Sequence, residues 1–368
     1  MRVLVVTTER DWSMSTRLLF TVAEGLARGG ATVTACYPRA SSTATGAESG
    51  FPNVALRSIS DGGFLTHWRA VRLVVSATRP SALLVHGERD ALIAAFAIGR
   101  KGGVVRRRQL DEHVRTTWRT RAAAARTSVL LFGGDARVPR NSADTSPPSL
   151  SWPPPAERSA RASHVVGTVG AVAEPHPRVV LFPSRNANAD TPVALRTAAH
   201  LLTRYEALRV TLVGDETTLQ GTRIHAASLG LADRLDLISV DDFLYSETLD
   251  ATAVWVTAEG DEGALALLSA MTRSLPVVVP SGSNLAPMVV PRITGLVADG
   301  ADPTATVAAL ARLVSDRDER QAMGDAAAAR ASRVHGWSSW LDRVSESLQR
   351  ASGMRAARRA AHGVPTPA

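Results

Sequence analysis

AVWVTAEGDEGALALLSAMTRSLPVVVP, residues 253–280, is the stretch that decides the fold. Val254, Trp255, Val256 and Thr257 form an apolar run of strand length. Ala264, Leu265, Leu267, Leu268 and Met271 recur at helical spacing, and Pro276, Val277, Val278 and Val279 return to a β-branched run. Between the first strand and the helix lies Glu259-Gly260-Asp261-Glu262-Gly263, three carboxylates and two glycines in five residues. In an open α/β sheet, a loop that leaves the carboxyl end of a strand and opens a helix faces the ligand crevice. Glycines let the backbone come close to a ligand, and free amides at a helix start suit an anion. Taken alone, the same five residues also read as an acidic, solvated turn.

The alternation continues on both sides. Residues 178–182 read as a strand, 192–205 as a helix, and 209–213 as a strand ending in Gly214-Asp215; a helix over 216–229 and a strand through Ile238 follow. Residues 303–314 and 317–335 are alanine-rich helices. Near the start, 2–6, 15–28 and 31–37 read as strand, amphipathic helix and strand, a βαβ unit that requires a parallel sheet. Leu18, Leu19, Val22, Ala23 and Leu26 share one face of that helix, Ser13 or Ser15 caps it, and Gly29-Gly30 stops it. Residues 40–63, rich in Ser, Thr, Ala and Gly, read as loop. A helix containing 71–78 ends before Arg79-Pro80, and the buried strand 82–85 ends at His86-Gly87. A further strand spans 128–132, and six prolines in 139–155 exclude a helix there. The Gly- and Pro-bearing residues 167–177 place a domain boundary at about residue 170.

Composition narrows the class. A chain of 368 residues, 45% apolar and 21% charged, has room for two globular domains. No apolar run reaches the ~18 residues of a membrane span, and MRVLVVTTERD turns polar too soon for a signal peptide. Cys36 is the single cysteine, which excludes a disulfide framework and a thiolate metal cluster and makes the cytoplasm the expected compartment. The net charge of +8 comes from arginine and suits nucleic acid, anionic lipid or phosphorylated substrates without choosing among them. No nucleic-acid module and no metal-ligand spacing stands out, so neither nucleic acid nor metal is expected. Nine basic residues lie in 100–126 against Asp111 and Glu112. They read as a solvated helix face, or as a face for an anionic acceptor or membrane surface centred on Arg106, Arg107 and Arg108. Trp12, in the loop after the first strand, either stacks on a ligand or caps the domain. His86, at a strand's carboxyl end, either faces the crevice or is a hydrogen-bonded edge histidine.

Leu265, Ala270-Met271, Pro276-Val277-Val278, Thr294-Gly295-Leu296 and Arg320-Gln321-Ala322-Met323-Gly324, in this order, carry a resemblance. The C-terminal half resembles family-4 glycosyltransferases. That implies an α/β chain of GT-B fold, two doubly wound Rossmann-like domains facing across a cleft. Residues 1–170 would be the acceptor-side domain and 171–335 the nucleotide-sugar domain. Residues 336–352 would be a helix crossing back, and 353–368 a basic, disordered tail. The implied activity is transfer of a sugar from a nucleotide-diphosphate donor, with retention and without a metal or cofactor, to a saccharide or lipid-linked acceptor. Its setting would be surface polysaccharide or glycolipid assembly, in the cytoplasm or peripherally at the inner face of the membrane.

The resemblance also assigns residues. The family binds the donor diphosphate with an arginine and a lysine five residues on; Arg185 matches the arginine, and Asp190 stands at the lysine position. A planar guanidinium suits a diphosphate, although Arg185 paired with Asp190 at the surface is the plainer reading. Asp261 matches the family's first glutamate, beside the transferred sugar, with Glu262 or Glu259 as substitutes. Gly263, Ala264 and Leu265 complete that donor loop, and Ser269 replaces the second glutamate, which binds ribose. Ser283 and Asn284 fall in the turn that nears the donor sugar, where they equally suit a helix cap. On the acceptor side, Trp12 and Ser13 stand where the family has a glycine pair, His86 keeps one of two histidines, and Arg108 replaces a third. These changed positions carry an alternative: a catalytically impaired GT-B scaffold partnering an active transferase.

Overall fold

The computed structural model describes residues 1–99, 103–108, 129–133, 149–152, 177–183, 190–214, 216–245, 250–299 and 302–361. The chain divides into two compact units, Met1–Trp152 with Ser338–Ala368, and Pro153–Trp337. The expected boundary at about residue 170 lies outside the described residues.

In the first unit, β1 (Arg2–Val6), α1 (Met14–Arg28), β2 (Thr32–Pro38), α2 (Ser42–Gly50), β3 (Ala55–Ile59), α3 (Phe64–Thr78), β4 (Ala82–Val85) and α4 (Glu88–Ile98) alternate. They are followed by β5 (Gly103–Arg108), β6 (Val129–Gly133) and β7 (Ser149–Trp152). The strands form one parallel sheet in the order β3-β2-β1-β4-β5-β6-β7, with Val3 opposite Val33 on one side and Ala82 on the other. Leu4, Val6, Leu83 and Val85 are buried because helices cover both faces of a parallel sheet. The order reverses between β1 and β4, so the loops after these two strands border one crevice.

Residues 40–63 are not loop throughout: they hold α2 and β3. Small residues give α2 no broad apolar stripe, and only Thr43, Ala44 and Ala47 are buried. What starts the helix is the Ser41 hydroxyl, which accepts the Ala44 amide at 3.2 Å. β3 is an edge strand, mostly exposed, so burial leaves little alternation in its sequence.

The second unit holds β8 (Arg178–Phe182), α5 (Asp190–Arg204), β9 (Arg209–Gly214), α6 (Glu216–Ser228), β10 (Leu235–Ser239) and α7 (Val240–Tyr245). Then come β11 (Ala253–Val256), α8 (Gly260–Thr272), β12 (Val277–Pro280), β13 (Gly295–Ala298), α9 (Pro303–Ser315) and α10 (Arg317–Val334). Its parallel sheet runs β10-β9-β8-β11-β12-β13, reversing between β8 and β11. Leu181, Leu212, Trp255, Val278 and Leu296 face a core completed by Leu195, Leu310 and Met323.

The motifs that carry the resemblance are joints of this unit. The Arg320 guanidinium donates to the carbonyls of Leu313 and Val314 at 2.9 and 3.3 Å, satisfying the carboxyl end of α9. A Cβ on Gly324 would stand 2.0 Å from the Ser274 carbonyl oxygen, so only glycine lets α10 seat against the end of α8. The Thr294 hydroxyl accepts the Val290 amide at 2.8 Å, and a Cβ on Gly295 would meet Val277 at 2.7 Å.

The last helix, α11 (Trp337–Ala361), belongs over most of its length to the first unit. Leu341 lies against Gly25, where a Cβ would stand 2.6 Å from its Cδ1, and Trp340, Val344 and Leu348 are buried. The helix continues beyond residue 352, so 353–361 are helical rather than tail. Alanine and arginine are strong helix formers and extend α11 without an apolar stripe in the sequence to announce it. Among the described residues, no helix is long and apolar enough to cross a membrane.

Candidate functional site

The reversal between β8 and β11 organises the second unit's site. Val256 pairs with Phe182, and the Phe182 carbonyl accepts both the Thr257 and Ala258 amides, at 3.0 and 3.3 Å. The two strands thus stay joined to their ends, and the loops beyond them leave side by side. The loop after β8 carries Arg185, which lies outside the described residues, as does the side chain of Asp190 at the start of α5.

The loop after β11 is shorter than its sequence suggests. Glu259 is the N-cap of α8, extended at φ −97° and ψ 175°, and its exposed side chain makes no cap hydrogen bond. Gly260 follows at φ +72°, a left-handed conformation that favours glycine. Asp261 and Glu262 therefore stand in the first turn of α8 rather than in a loop, because glycines and acids hide the start of the helix from an apolar pattern. Carboxylates at that position complement the helix dipole. Asp261 is buried and Glu262 half-buried. A Cβ on Gly263 would stand 1.8 Å from the Ala258 carbonyl oxygen, so the loop folds back onto the helix backbone there.

Ala264 is fully buried and Leu265 nearly so, leaving their side chains to the core. Ser269 is half-buried, and its carbonyl accepts the Thr272 hydroxyl at 3.0 Å. Seven residues separate Glu262 from Ser269 and eight separate Asp261 from it, so Glu262 is the closer in helical angle. Glu262, Ser269 and Thr272 form the partly exposed stripe of an otherwise buried helix. Beyond β12, the Ser283 hydroxyl donates to the Pro280 carbonyl at 2.8 Å. Asn284 Oδ1 and Thr257 Oγ1 are enclosed with no hydrogen-bond partner among the described residues. Buried polar atoms are rarely left so, which adds Thr257 to the candidates. Its only signal in the sequence was a hydroxyl residue directly after β11.

In the first unit, the loops after β1 and β4 place a different set together. Trp12 packs against Phe20 and Phe51, with ring centroids 5.5 and 6.1 Å apart, and its indole lies where a Cβ on Gly46 would be, at 2.2 Å. It caps an aromatic cluster. Ser13 is the N-cap of α1, its oxygen accepting the Thr16 amide at 3.2 Å. Glu9, which the sequence reading passed over on this side, is what these loops present. Its Oε2 accepts the hydroxyls of Ser13 and Thr16 at 3.2 and 2.7 Å, and its Oε1 lies 3.8 Å from Nε2 of buried His86. Behind it, Asp90 in the first turn of α4 is fully enclosed. Burial pushes its carboxyl up to about 7, against the hydrogen bonds from Thr8. A lone acid in a helix's first turn reads as a dipole partner, so nothing in the sequence singled Asp90 out.

The arginine run is corrected in part. Arg106 lies on a strand between β4 and β6, opposite Val85, and is only 5% exposed. It is no helix-face charge and offers no membrane contact. The side chains of Arg107 and Arg108 lie outside the described residues, although Arg108 closes β5. Among the described residues no group of three or more His, Cys, Asp or Glu is placed to hold a metal.

Residues 172–330 match the family described as Glycosyl transferases group 1. That match spans less than half of the chain. It contains the second unit's candidates from Arg185 to Asn284, whereas Trp12, Ser13, His86 and Arg108 lie outside it. No curated protein matches by sequence. Solved structures match beyond that stretch. A sucrose-phosphate synthase from Thermosynechococcus elongatus has a TM-score of 0.71 at 14% identity, over 97% of this chain and 99% of its own. Anabaena HepE in complex with UDP has a TM-score of 0.72 at 12% identity, over 95% of this chain and 100% of its own. A glycosyltransferase from Rickettsia africae has a TM-score of 0.73 at 10% identity, over 95% and 97%. The chain has the GT-B fold, and at such identities the likeness carries the fold alone.

Proposed function

We propose that the chain is a retaining glycosyltransferase that moves a sugar from a nucleoside-diphosphate donor to a saccharide or lipid-linked acceptor. The observation that carries this reading is the meeting of the acidic first turn of α8 with the β8–β11 reversal, inside the stretch matched by the family. There the amino end of a thirteen-residue helix offers amides to an anion, and Gly263 keeps side-chain bulk away from the turn.

Arg185 and the α8 amides stabilise the departing diphosphate, supplying the positive charge that such a leaving group needs. Asp261 and Glu262 would repel phosphate, so their place is against hydroxyls of the transferred sugar. Thr257, Ser283 and Asn284 add neutral hydrogen bonds beside them, and Ser269 meets the ribose from the same stripe as Glu262. Glu9 and His86 stand at the acceptor side of the first unit. A single buried cysteine fits a reducing compartment. HepE was solved with UDP, which makes a uridine nucleotide the first donor to try.

The test is to incubate the protein with UDP- and GDP-linked sugars and follow nucleotide release and the anomeric proton by NMR. Release of a nucleoside diphosphate with a sugar product of the donor's own anomeric configuration is expected. An inverted product would overturn retention, and no release from any donor would return the chain to the scaffold class.

A further inference from the structure

The outer face of α3 is unlike the solvated side of an ordinary surface helix. Its buried side is formed by His67, Val71 and Val75. Its outer side exposes Leu65 at 64% and Leu73 at 71%, with Arg69 and Arg72 exposed between them. At 3.6 residues per turn, these four side chains fall within an arc of about 100°. Half-buried Trp68 lies beside them, with the Arg72 guanidinium 5.4 Å from its ring. Phe96 of α4, 43% exposed, meets Phe64 edge-on at 6.2 Å and widens the apolar surface at the helix start. The helix contains no carboxylate, and exposed Arg79 ends it.

We infer that α3 is a docking face for an anionic lipid surface. Long apolar side chains alternating with guanidiniums match the two layers of a bilayer surface. Leucines enter the boundary of the acyl chains while arginines stay level with the headgroup phosphates. Charge complementarity chooses the partner, because the charges on this face are all positive, and exposed Ser76 among them is neutral, its hydroxyl turned to the Leu73 carbonyl. The sequence placed membrane contact on Arg106, Arg107 and Arg108, but Arg106 is buried, and α3 is where the described residues expose both elements together.

The experiment is co-sedimentation of the full chain with vesicles of phosphatidylcholine alone and with phosphatidylglycerol added. Binding to the anionic vesicles, weakening steeply as salt rises, is expected. Arg69→Gln with Arg72→Gln should lower the partition coefficient about thirtyfold, and Leu65→Ser with Leu73→Ser about tenfold. Arg223→Gln and Ile224→Ser on α6, whose side chains are equally exposed, should leave it unchanged. Equal binding to neutral vesicles, no binding to either, or full binding by the α3 variants would each overturn the assignment. So would a loss of self-association in the α3 variants, read by light scattering, with no change at the vesicle. Nucleotide binding is read separately, so failure here leaves the proposed transfer reaction standing.

Discussion

Thr8 gives both its backbone amide and its hydroxyl to one oxygen of Asp90, at 3.0 and 2.6 Å. The pair ties the loop after β1 to the first turn of α4, across the point where the first sheet reverses. Asp90 is enclosed, and burial lifts its carboxyl from an ordinary 3.8 to about 7; Glu9 lifts it further, while Thr8 and Arg89 pull it down. His86 Nε2 lies 3.8 Å from the Glu9 carboxylate.

In the unfolded chain Asp90 ionises near its ordinary value, while in the fold it keeps its proton to about 7. The folded state therefore binds more protons between these values, and stability falls as pH rises through that window, then levels. Asp90→Asn keeps an acceptor for Thr8 and has no charge to bury. Its stability relative to the parent should be about 2–3 kcal/mol greater at pH 8 than at pH 5, by urea unfolding. An equal difference at both pH values would contradict the raised carboxyl.

Gly263→Ala should destabilise the second unit by about 2–4 kcal/mol, since a Cβ would meet the Ala258 carbonyl at 1.8 Å. Gly324→Ala, with its contact at 2.0 Å from Ser274, should cost a similar amount. The two differ in ligand effect: at a temperature where both remain folded, only the Gly263 variant should lose nucleotide affinity. Equal affinity in both would remove the α8 turn from the site.

Trp12→Ala should cost about 2–4 kcal/mol by emptying the space between Phe20, Phe51 and Gly46. Nucleotide binding, measured on the folded variant, should stay within about twofold. A stable variant that loses acceptor-dependent turnover would instead make Trp12 a ligand platform.

What the sequence made legible follows from what made it distinctive. Buried parallel strands such as Val277–Pro280 are apolar throughout, and α8 is buried nearly all round, so both stand out. The Thr294-Gly295-Leu296 and Arg320–Gly324 motifs were readable because each fixes a joint that tolerates little else. The candidate site was harder. Asp261 and Glu262 open a helix whose first turn has no apolar residue, so the turn looked like loop. Arg106 sits in an arginine run that resembles a solvated face, yet pairing with Val85 turns it inward. Glu9, His86 and Asp90 are scattered singly along the chain and meet only because β1 and β4 are neighbours.

Ser269→Glu should tighten nucleoside-diphosphate binding by about 1–2 kcal/mol, a partial charged hydrogen bond to ribose hydroxyls. The seven-residue spacing from Glu262 puts the new carboxylate on the same half-exposed stripe, where it need not be buried. A ligand lacking the ribose hydroxyls should gain nothing. Weaker binding of the ribose form would show that the pocket is shaped around serine.

The central claim is that the second unit holds a nucleoside-diphosphate donor where β8 and β11 diverge. Calorimetric titration of UDP and GDP, alone and as their sugars, against the parent and Arg185→Ala tests it most directly. Saturable binding of one nucleotide series is predicted, weakened by about 2–3 kcal/mol in the variant for the diphosphate and almost unchanged for the bare nucleoside. Absence of binding across the panel, or an equal loss for diphosphate and nucleoside, would contradict it.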